Sequence, residues 1–378
     1  MSLQTIDKSL LTKLLNQNFG EEIFQNWEKA EHISVKGAVG SAVSILAAEA
    51  FLSQQKTILL ITDDKEDSHY TTTEMEELVG EENVLHLPNS YTEPYQEERT
   101  KNANLVLRTE VINQLNLNNK QKIIVAHISA LNEKVLKKED FKMISHRIKT
   151  GEKLDFDFTE ELLNQFHFNL TDFVSEPGEF AVRGGIVDVF SYSNEKPFRI
   201  TFFGNEIESI KTFDIETQLS VEKVDEFQLV SNINLSTQGE KVPFFDLLPS
   251  DSLIIIKNAY SCLDKIENFY QKTQNQFDKL SKTIKHREPH ELFLSSEEFL
   301  RCFQKFRTID FSNSPSSKII QLSQTPQPSF HKNFELLIED LITKKEQGYE
   351  VWISFSSEKQ KDRLTEIIET LATEHQQD

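Results

Sequence analysis

The sequence predicts an α/β protein: a parallel-sheet domain of alternating strands and helices, with a mostly antiparallel α+β domain inserted into it. Three observations carry this prediction. Short, wholly apolar runs such as TILLITDD (57–64) and KIIVAHISAL (122–131) recur between helix-length segments, the rhythm of strands buried on both faces and joined by crossover helices. The central stretch EFAVRGGIVDVFSYSNEKPFRITFFGNEIESIKTFD (179–214) alternates with period two, as half-buried antiparallel strands do. Beyond it, SLIIIKNAYS (252–261) returns to the buried-strand pattern, so the alternating segment interrupts one domain.

Each element follows in order. Residues 3–30 read as one or two amphipathic helices. HISVKGAVGSAVSILAAEAFLSQ (32–54) reads as a strand, a Gly-containing turn and a helix from about Ser41. The strand over 57–64 is followed by a helix, the strand VLHLP (84–88), the helix NANLVLRTEVINQL (102–115) and the strand-to-helix run 122–131. The rhythm changes near residue 138. FKMISHRIKT (141–150) reads as a strand, Gly151 as a turn and FTEELLNQF (158–166) as a short helix. Period-two strands run from Phe173, with Gly204-Asn205 as a hairpin turn, since both residues tolerate positive φ. After 252–261 come the helix LDKIENFYQKTQNQFDKL (263–280), linker-like SNSPSSK and TPQPS, and a helix–strand–helix unit from Phe330 whose strand is YEVWISF (349–355). No internal repeat is visible.

Composition narrows the function classes. The 378 residues carry 41 Lys+Arg against 61 Asp+Glu, a formal net charge of −20. That balance opposes a surface built to neutralise phosphates over its whole area and suits solubility or a basic protein partner. With 28 Phe and 2 Trp, the aromatics serve cores first. Cys262 and Cys302 form no CxxC pattern, so neither a disulfide scaffold nor a zinc site is expected, and a reducing cytoplasm is. No secretory h-region and no membrane-length apolar run is present.

The chemistry-bearing motifs are incomplete. GAVGSAVS (37–44) has the outline of a phosphate-binding loop, with Gly37, Gly40 and Ser41 in the turn. The working pattern G-x-x-x-x-G-K-[ST] needs a lysine for the β/γ-phosphates and a hydroxyl for Mg²⁺. Here Ala42 replaces the second glycine and Val43 the lysine; only Ser44 keeps its type. The acid expected after a buried strand, to hold Mg²⁺ through water, is replaced by Lys257 and Asn258. The two deficits point to a fold that no longer hydrolyses nucleotide. His286 and His290 in HREPHEL lack the HExxH spacing, so no metal site is assigned. Asp63/Asp64, Glu81/Glu82 and Glu97/Glu98 read as solvated acids, and no Ser/His/Asp constellation stands out. No catalytic residue is assigned.

The central module has one unusual feature. Arg183 follows EFAV and precedes Gly184 and Gly185, which permit a bend or bulge and close approach of another backbone. With Phe180, expected to be exposed, and Arg199 on a later strand, Arg183 makes a basic-aromatic patch of the kind that anchors protein interfaces. Alternatively Arg183 pairs with Glu179 or Asp188 and only holds the bend. The sequence leaves both open.

These residues resemble a known family. VSEPGEFAVRGGIVDVFSYSNEKPFRITFFGNEIESIKTFDIETQLS (174–220) resembles the signature of bacterial transcription-repair coupling factors (the Mfd family), shared more loosely with the excision nuclease subunit UvrB. LPNSYTEPYQEERTKNANLVLRTEVINQL (87–115) is similar to the family's proline-tyrosine segment and following helix, and PFFDLLPSDSLIIIKN (243–258) looks like its degenerate Walker B region. The resemblance implies UvrB-like domains 1a, 2 and 1b: a degenerate P-loop, RecA/helicase-like domain 1a over 1–137, domain 2 over 138–232, domain 1b over 233–325, and the start of a further small α/β domain over 326–378, truncated here. It implies that domain 2 docks the repair protein UvrA through Phe180, Arg183, Gly184, Gly185 and Arg199, within a frame that includes Asp188 and Phe190. It further implies a longer parent protein: an ATP- and Mg-dependent DNA translocase that binds RNA polymerase, displaces it when stalled at a lesion and hands the site to nucleotide excision repair. Domain 2 would be covered at rest by the C-terminal part of that protein. This chain would itself bind no cofactor and act in the cytoplasm.

The chain departs from the pattern at Ala181, where UvrB has an additional arginine, and at Leu170, where many relatives carry a basic residue. Between Pro88 and Arg99 there is no room for the aromatic hairpin that UvrB inserts into DNA. That absence and the acidic charge weigh against the alternative, a UvrB-like subunit acting directly on damaged DNA.

Overall fold

The computed structural model describes residues 30–90, 102–117, 120–233, 239–280, 286–312, 318–331, 333–351 and 357–374, together with Ile23, Tyr95, Ile353 and Phe355. Most of the helices expected over 3–30, most of the proline-tyrosine segment with Glu97 and Glu98, and the centre of SNSPSSK lie outside the described residues. The chain divides into two units, 1–324 and 325–378.

Down the chain, the strands are β1 (His32–Lys36), β2 (Ile58–Thr62), β3 (Val84–Leu87), β4 (Ile123–His127), β5 (Val135–Leu136), β6 (Ser145–Lys149), β7 (Asn169–Leu170), β8 (Glu179–Arg183) and β9 (Ile186–Val189). They continue as β10 (Phe198–Phe203), β11 (Glu206–Phe213), β12 (Ser220–Val224), β13 (Glu226–Val230), β14 (Lys241–Val242), β15 (Leu253–Ile256), β16 (Arg307–Asp310) and β17 (Lys318–Gln321). A seven-stranded sheet has the order β17-β1-β16-β15-β2-β4-β3, and each of its pairings is parallel. Strands from both sides of the insertion thus build one sheet.

The apolar runs explain why that sheet is buried on both faces. Successive side chains of a strand point to opposite faces. Leu59, Ile61, Ile124, Ala126, Ile254 and Ile256 enter one cluster. Their neighbours Ile58, Leu60, Ile123, Val125, Leu253 and Ile255 enter the other, with Leu46 and Ala47 of the helix Ala42–Gln54. Asp64 caps the helix Lys65–Val79 by accepting the Asp67 N–H at 3.0 Å. An ion pair buried in this body escaped the sequence reading. Arg108 Nε lies 3.4 Å from Glu133, and the guanidinium also donates to the carbonyls of Pro88, Ala130 and Glu133. Glu133 in turn accepts the Ser90 N–H. The pair ties the turn after β3 to the end of the β4 unit.

The inserted module is anchored by a neck of paired strands. β5 pairs antiparallel with β14, and β6 with β13, so the two ends of the insertion run side by side. Its main sheet has six strands in the order β12-β11-β10-β9-β8-β7, antiparallel except where β7 meets β8. One face presents Phe180, Val187, Val189, Phe198, Ile200 and Ile210 to the main core. The other covers a small cluster of Val174, Ala181, Phe190 and Phe213.

Three sequence expectations are corrected. FKMISHRIKT is not one strand: Lys138–Met143 is helical and only Ser145–Lys149 is extended. Glu139 and Asp140 in the first turn and Lys142 in the last suit the helix dipole. β16 and β17 were not foreseen, being short and flanked by linker-like sequence. In the second unit, helices Phe334–Glu346 and Glu358–Glu374 form, but the described residues of YEVWISF adopt no strand. No other strand is present among the described residues of that unit, and a strand needs a partner to satisfy its backbone.

Candidate functional site

The module's surface site is set by the hairpin of β8 and β9. Arg183 pairs with Ile186 in the ladder, so Gly184-Gly185 is a two-residue hairpin turn, not a bulge. Gly184 takes φ +61°, with open space around it. Gly185 meets the expected close approach: its N–H to C=O backbone lies against β10, its carbonyl accepting the Phe202 N–H at 2.8 Å. A Cβ there would sit 3.3 Å from the Phe202 carbonyl oxygen. The second hairpin turn, Gly204-Asn205, also forms; only Gly204 of the pair has positive φ.

Strand parity sorts the candidate residues. Phe180 and Arg183 are an odd number of positions apart and fall on opposite faces. Phe180 is 0% exposed and belongs to the core, correcting the expectation of a surface aromatic. The aromatic partner of Arg183 is Phe173, 62% exposed, with the guanidinium 4.5 Å from its ring centroid. Arg183 also donates to the Asp172 carbonyl. Leu170 is exposed nearby in sequence on β7, and Phe203, which follows the residue touching Gly185, is 80% exposed. Phe173 and Phe203 were missed; each adjoins another apolar residue, Val174 and Phe202, so composition alone does not mark which of the two is exposed.

Arg199 shares the outer face with Arg183 but differs from it in environment. Its Nε and Nη2 donate to both Asp188 oxygens at 2.7 and 2.8 Å, and Nη1 donates to the Gln218 carbonyl. Its guanidinium lies 4.9 Å from the Phe213 ring centroid. The hydrogen bonds to Asp188 raise the Arg199 pKa above its ordinary value. Arg183 reaches Asp188 only at 3.9 Å, and Glu179 accepts from Ser175 and Glu176 instead. Asp188 is thus satisfied by Arg199, leaving Arg183 available at the surface.

The nucleotide-type loop is closed upon itself. Gly37 and Gly40 take φ +78° and +58°, and a Cβ on Gly37 would strike the Leu322 carbonyl. The Val39 N–H donates to Gln324 at 2.9 Å. Ser41 caps the Ala42–Gln54 helix by position, yet its hydroxyl and that of Ser44 both donate to the Glu74 carboxylate. A helix N-terminus favours an anion; here the protein supplies its own. Ala42 and Val43 are buried. Lys257 donates to Asp67 and Thr71 at 2.7 and 2.8 Å, while Asn258 caps the helix Ala259–Phe277 through the Ser261 N–H. His290 lies 3.2 Å from Glu288. Among the described residues no group of three or more His, Cys, Asp or Glu could hold a metal ion, and no helix is long and apolar enough to cross a membrane.

Comparison with known proteins meets this geometry at the module. Residues 147–234 match a single family. It is the UvrB interaction domain. The match covers the strands from Arg147 through β13, so the Arg183 face lies within the residues that are similar to the UvrB interaction domain. The chain is also similar to transcription-repair-coupling factors. That of Bacillus subtilis (strain 168) is 30% identical over 186 residues, 49% of this chain and 16% of the relative. That of Myxococcus xanthus is 26% identical over 215 residues, 55% and 18% of the two chains. That of Staphylococcus aureus (strain NCTC 8325 / PS 47) is 26% identical over 276 residues, 72% and 22%. The chain thus spans about a fifth of the length of the curated relatives it matches.

Proposed function

We propose that this chain is the UvrA-recruiting part of a transcription-repair coupling factor and that its inserted module is the docking surface. The observation that carries this reading is the exposed Arg183 guanidinium, stacked on exposed Phe173 beside the Gly184-Gly185 turn, on a UvrB interaction domain. Arginine and aromatic residues dominate the energetic centres of protein interfaces. A guanidinium laid on a ring has its apolar face covered and can still donate at its edge; Arg183 spends one donor on the Asp172 carbonyl. The parallel-sheet body serves as a scaffold: Glu74 stands where a nucleotide phosphate would need a cation, so no nucleotide turnover is expected from it. Engagement of RNA polymerase, DNA translocation driven by ATP and Mg, and the covering of the module at rest would belong to the rest of a longer parent protein.

Calorimetric titration of purified UvrA against this chain tests the reading. The wild type binds at micromolar strength or tighter, roughly −8 kcal/mol or better. Arg183→Ala weakens that by about 1–3 kcal/mol without lowering thermal stability. Absence of binding by the folded wild-type chain would sink the assignment.

A further inference from the structure

Granted the docking role of Arg183, on which this rests, we propose that Gln218 is the positioning residue of that surface. Its side-chain amide fixes the loop over 172–174, and with it the Phe173 ring on which Arg183 lies. Residues 171–178 belong to no strand, so the place of the ring is set by whatever grips the loop. The carbonyls of three successive residues are gripped. That of Asp172 accepts from Arg183, that of Phe173 from the Thr171 hydroxyl at 3.2 Å, and that of Val174 from Gln218 Nε2 at 3.1 Å. The first two bonds come from the docking arginine and from the loop itself. Gln218 brings the third from the turn between β11 and β12.

Gln218 is itself firmly held. Its N–H donates to the Asp214 carbonyl at 2.8 Å, and the Asp214 N–H donates to the Leu219 carbonyl at 3.0 Å, closing the turn. Its carbonyl accepts Arg199 Nη1 at 3.1 Å, while Arg199 grips both oxygens of Asp188. Its amide nitrogen also donates to the Ile215 carbonyl at 2.9 Å, which sets the amide's orientation. Asp188, Arg199, Gln218 and Val174 thus form a hydrogen-bonded line from the sheet to the loop, ending one residue from Phe173. The backbone at Gln218 has φ +57°, a left-handed conformation that costs an L residue and not a glycine. Strain of this kind collects at functional surfaces, and here the glutamine supplies an amide that a glycine lacks. Val174 is buried with Ala181, Phe190 and Phe213, which fixes where the loop enters the module. The bond to its carbonyl fixes which way its peptide faces. A ring set in place before binding spares the long Arg183 side chain part of the ordering that an interface demands.

The test uses Gln218→Gly, which suits the left-handed backbone, keeps the carbonyl that Arg199 holds and removes the amide. In hydrogen–deuterium exchange of the free chain, residues 172–176 exchange several-fold faster in the variant, those over 182–187 and 198–203 are unchanged, and the melting temperature stays near that of the wild type. Calorimetric titration with purified UvrA gives binding about three- to tenfold weaker than the wild type. In an Arg183→Ala background the same substitution has little further effect, because its influence passes through that arginine. A residue that only stabilised the module would lower the melting temperature and weaken binding equally in both backgrounds. Unchanged exchange over 172–176 would mean that the burial of Val174 alone holds the loop, and equal weakening in both backgrounds that Gln218 acts other than through Arg183; either overturns the proposal. If the wild type binds UvrA and weakens on Arg183→Ala while Gln218→Gly binds like the wild type, this role fails and the docking surface stands. A folded wild type that does not bind UvrA ends both.

Discussion

Arg183 and Arg199 lie on one face of one sheet with Asp188 between them, yet they have opposite duties. Arg199 neutralises a carboxylate that is 1% exposed, and removing one partner of a buried pair strands the other. Arg199→Ala should cost about 3–5 kcal/mol of stability in urea unfolding, whereas Arg183→Ala should cost little, because its contacts are exposed. Equal stability losses would mean that Arg183 only holds the hairpin. A pH effect belongs to His86. Burial, then His69, lower its pKa from 6.5 to about 4. Between those values the unfolded chain takes up a proton that the folded chain refuses, so this residue's share of stability is present above about pH 6.5 and lost towards pH 4. Melting temperatures across that range should fall more steeply for the wild type than for His86→Gln; parallel curves would exclude His86 as the cause. Glu76 and Glu110, with raised pKa values, act with the opposite sign, which is why the difference between the two proteins is the informative quantity. At this scale the sequence was legible in part. The expected patch put Phe180 on the surface with Arg183, although their odd spacing on one strand sets them on opposite faces and Phe180 is buried. The Glu74 clasp on Ser41 and Ser44 was not legible, because it joins positions on different helices through the fold.

At the scale of elements, strands buried on both faces were easy to read, since β2, β4 and β15 are unbroken apolar runs bounded by polar residues. Short partners were not: β16 and β17 gain their identity from pairing with β1 and β15. The β8–β9 hairpin is the element on which the proposed docking depends. Gly184 holds φ +61° in open space, so an added Cβ meets no neighbour and only the backbone conformation resists it. Gly184→Ala should therefore destabilise by about 1–2 kcal/mol in chemical denaturation, with the fold retained. A change near zero would mean that the turn relaxes to another conformation at no cost.

For the whole molecule, the inserted domain and its interrupted host were visible as a change of period, from buried runs to strict alternation and back. The neck was not visible, because β5 and β14 are two residues each and pair across the entire insertion. It delivers the module from the parallel-sheet body while strands on either side of the insertion complete a single sheet. The body retains the outline of a phosphate loop, but Glu74, Gln324 and Lys257 have filled its positions with internal bonds. What remains outward-facing and unspent is the tip of the module. Hydrogen–deuterium exchange of this chain with and without UvrA tests that claim most directly. The account predicts slowed exchange over residues 170–174, 182–187 and 202–205, with the loop over 37–44 unchanged. Protection confined to the parallel-sheet body, with the Arg183 hairpin exchanging as in the free chain, would contradict it.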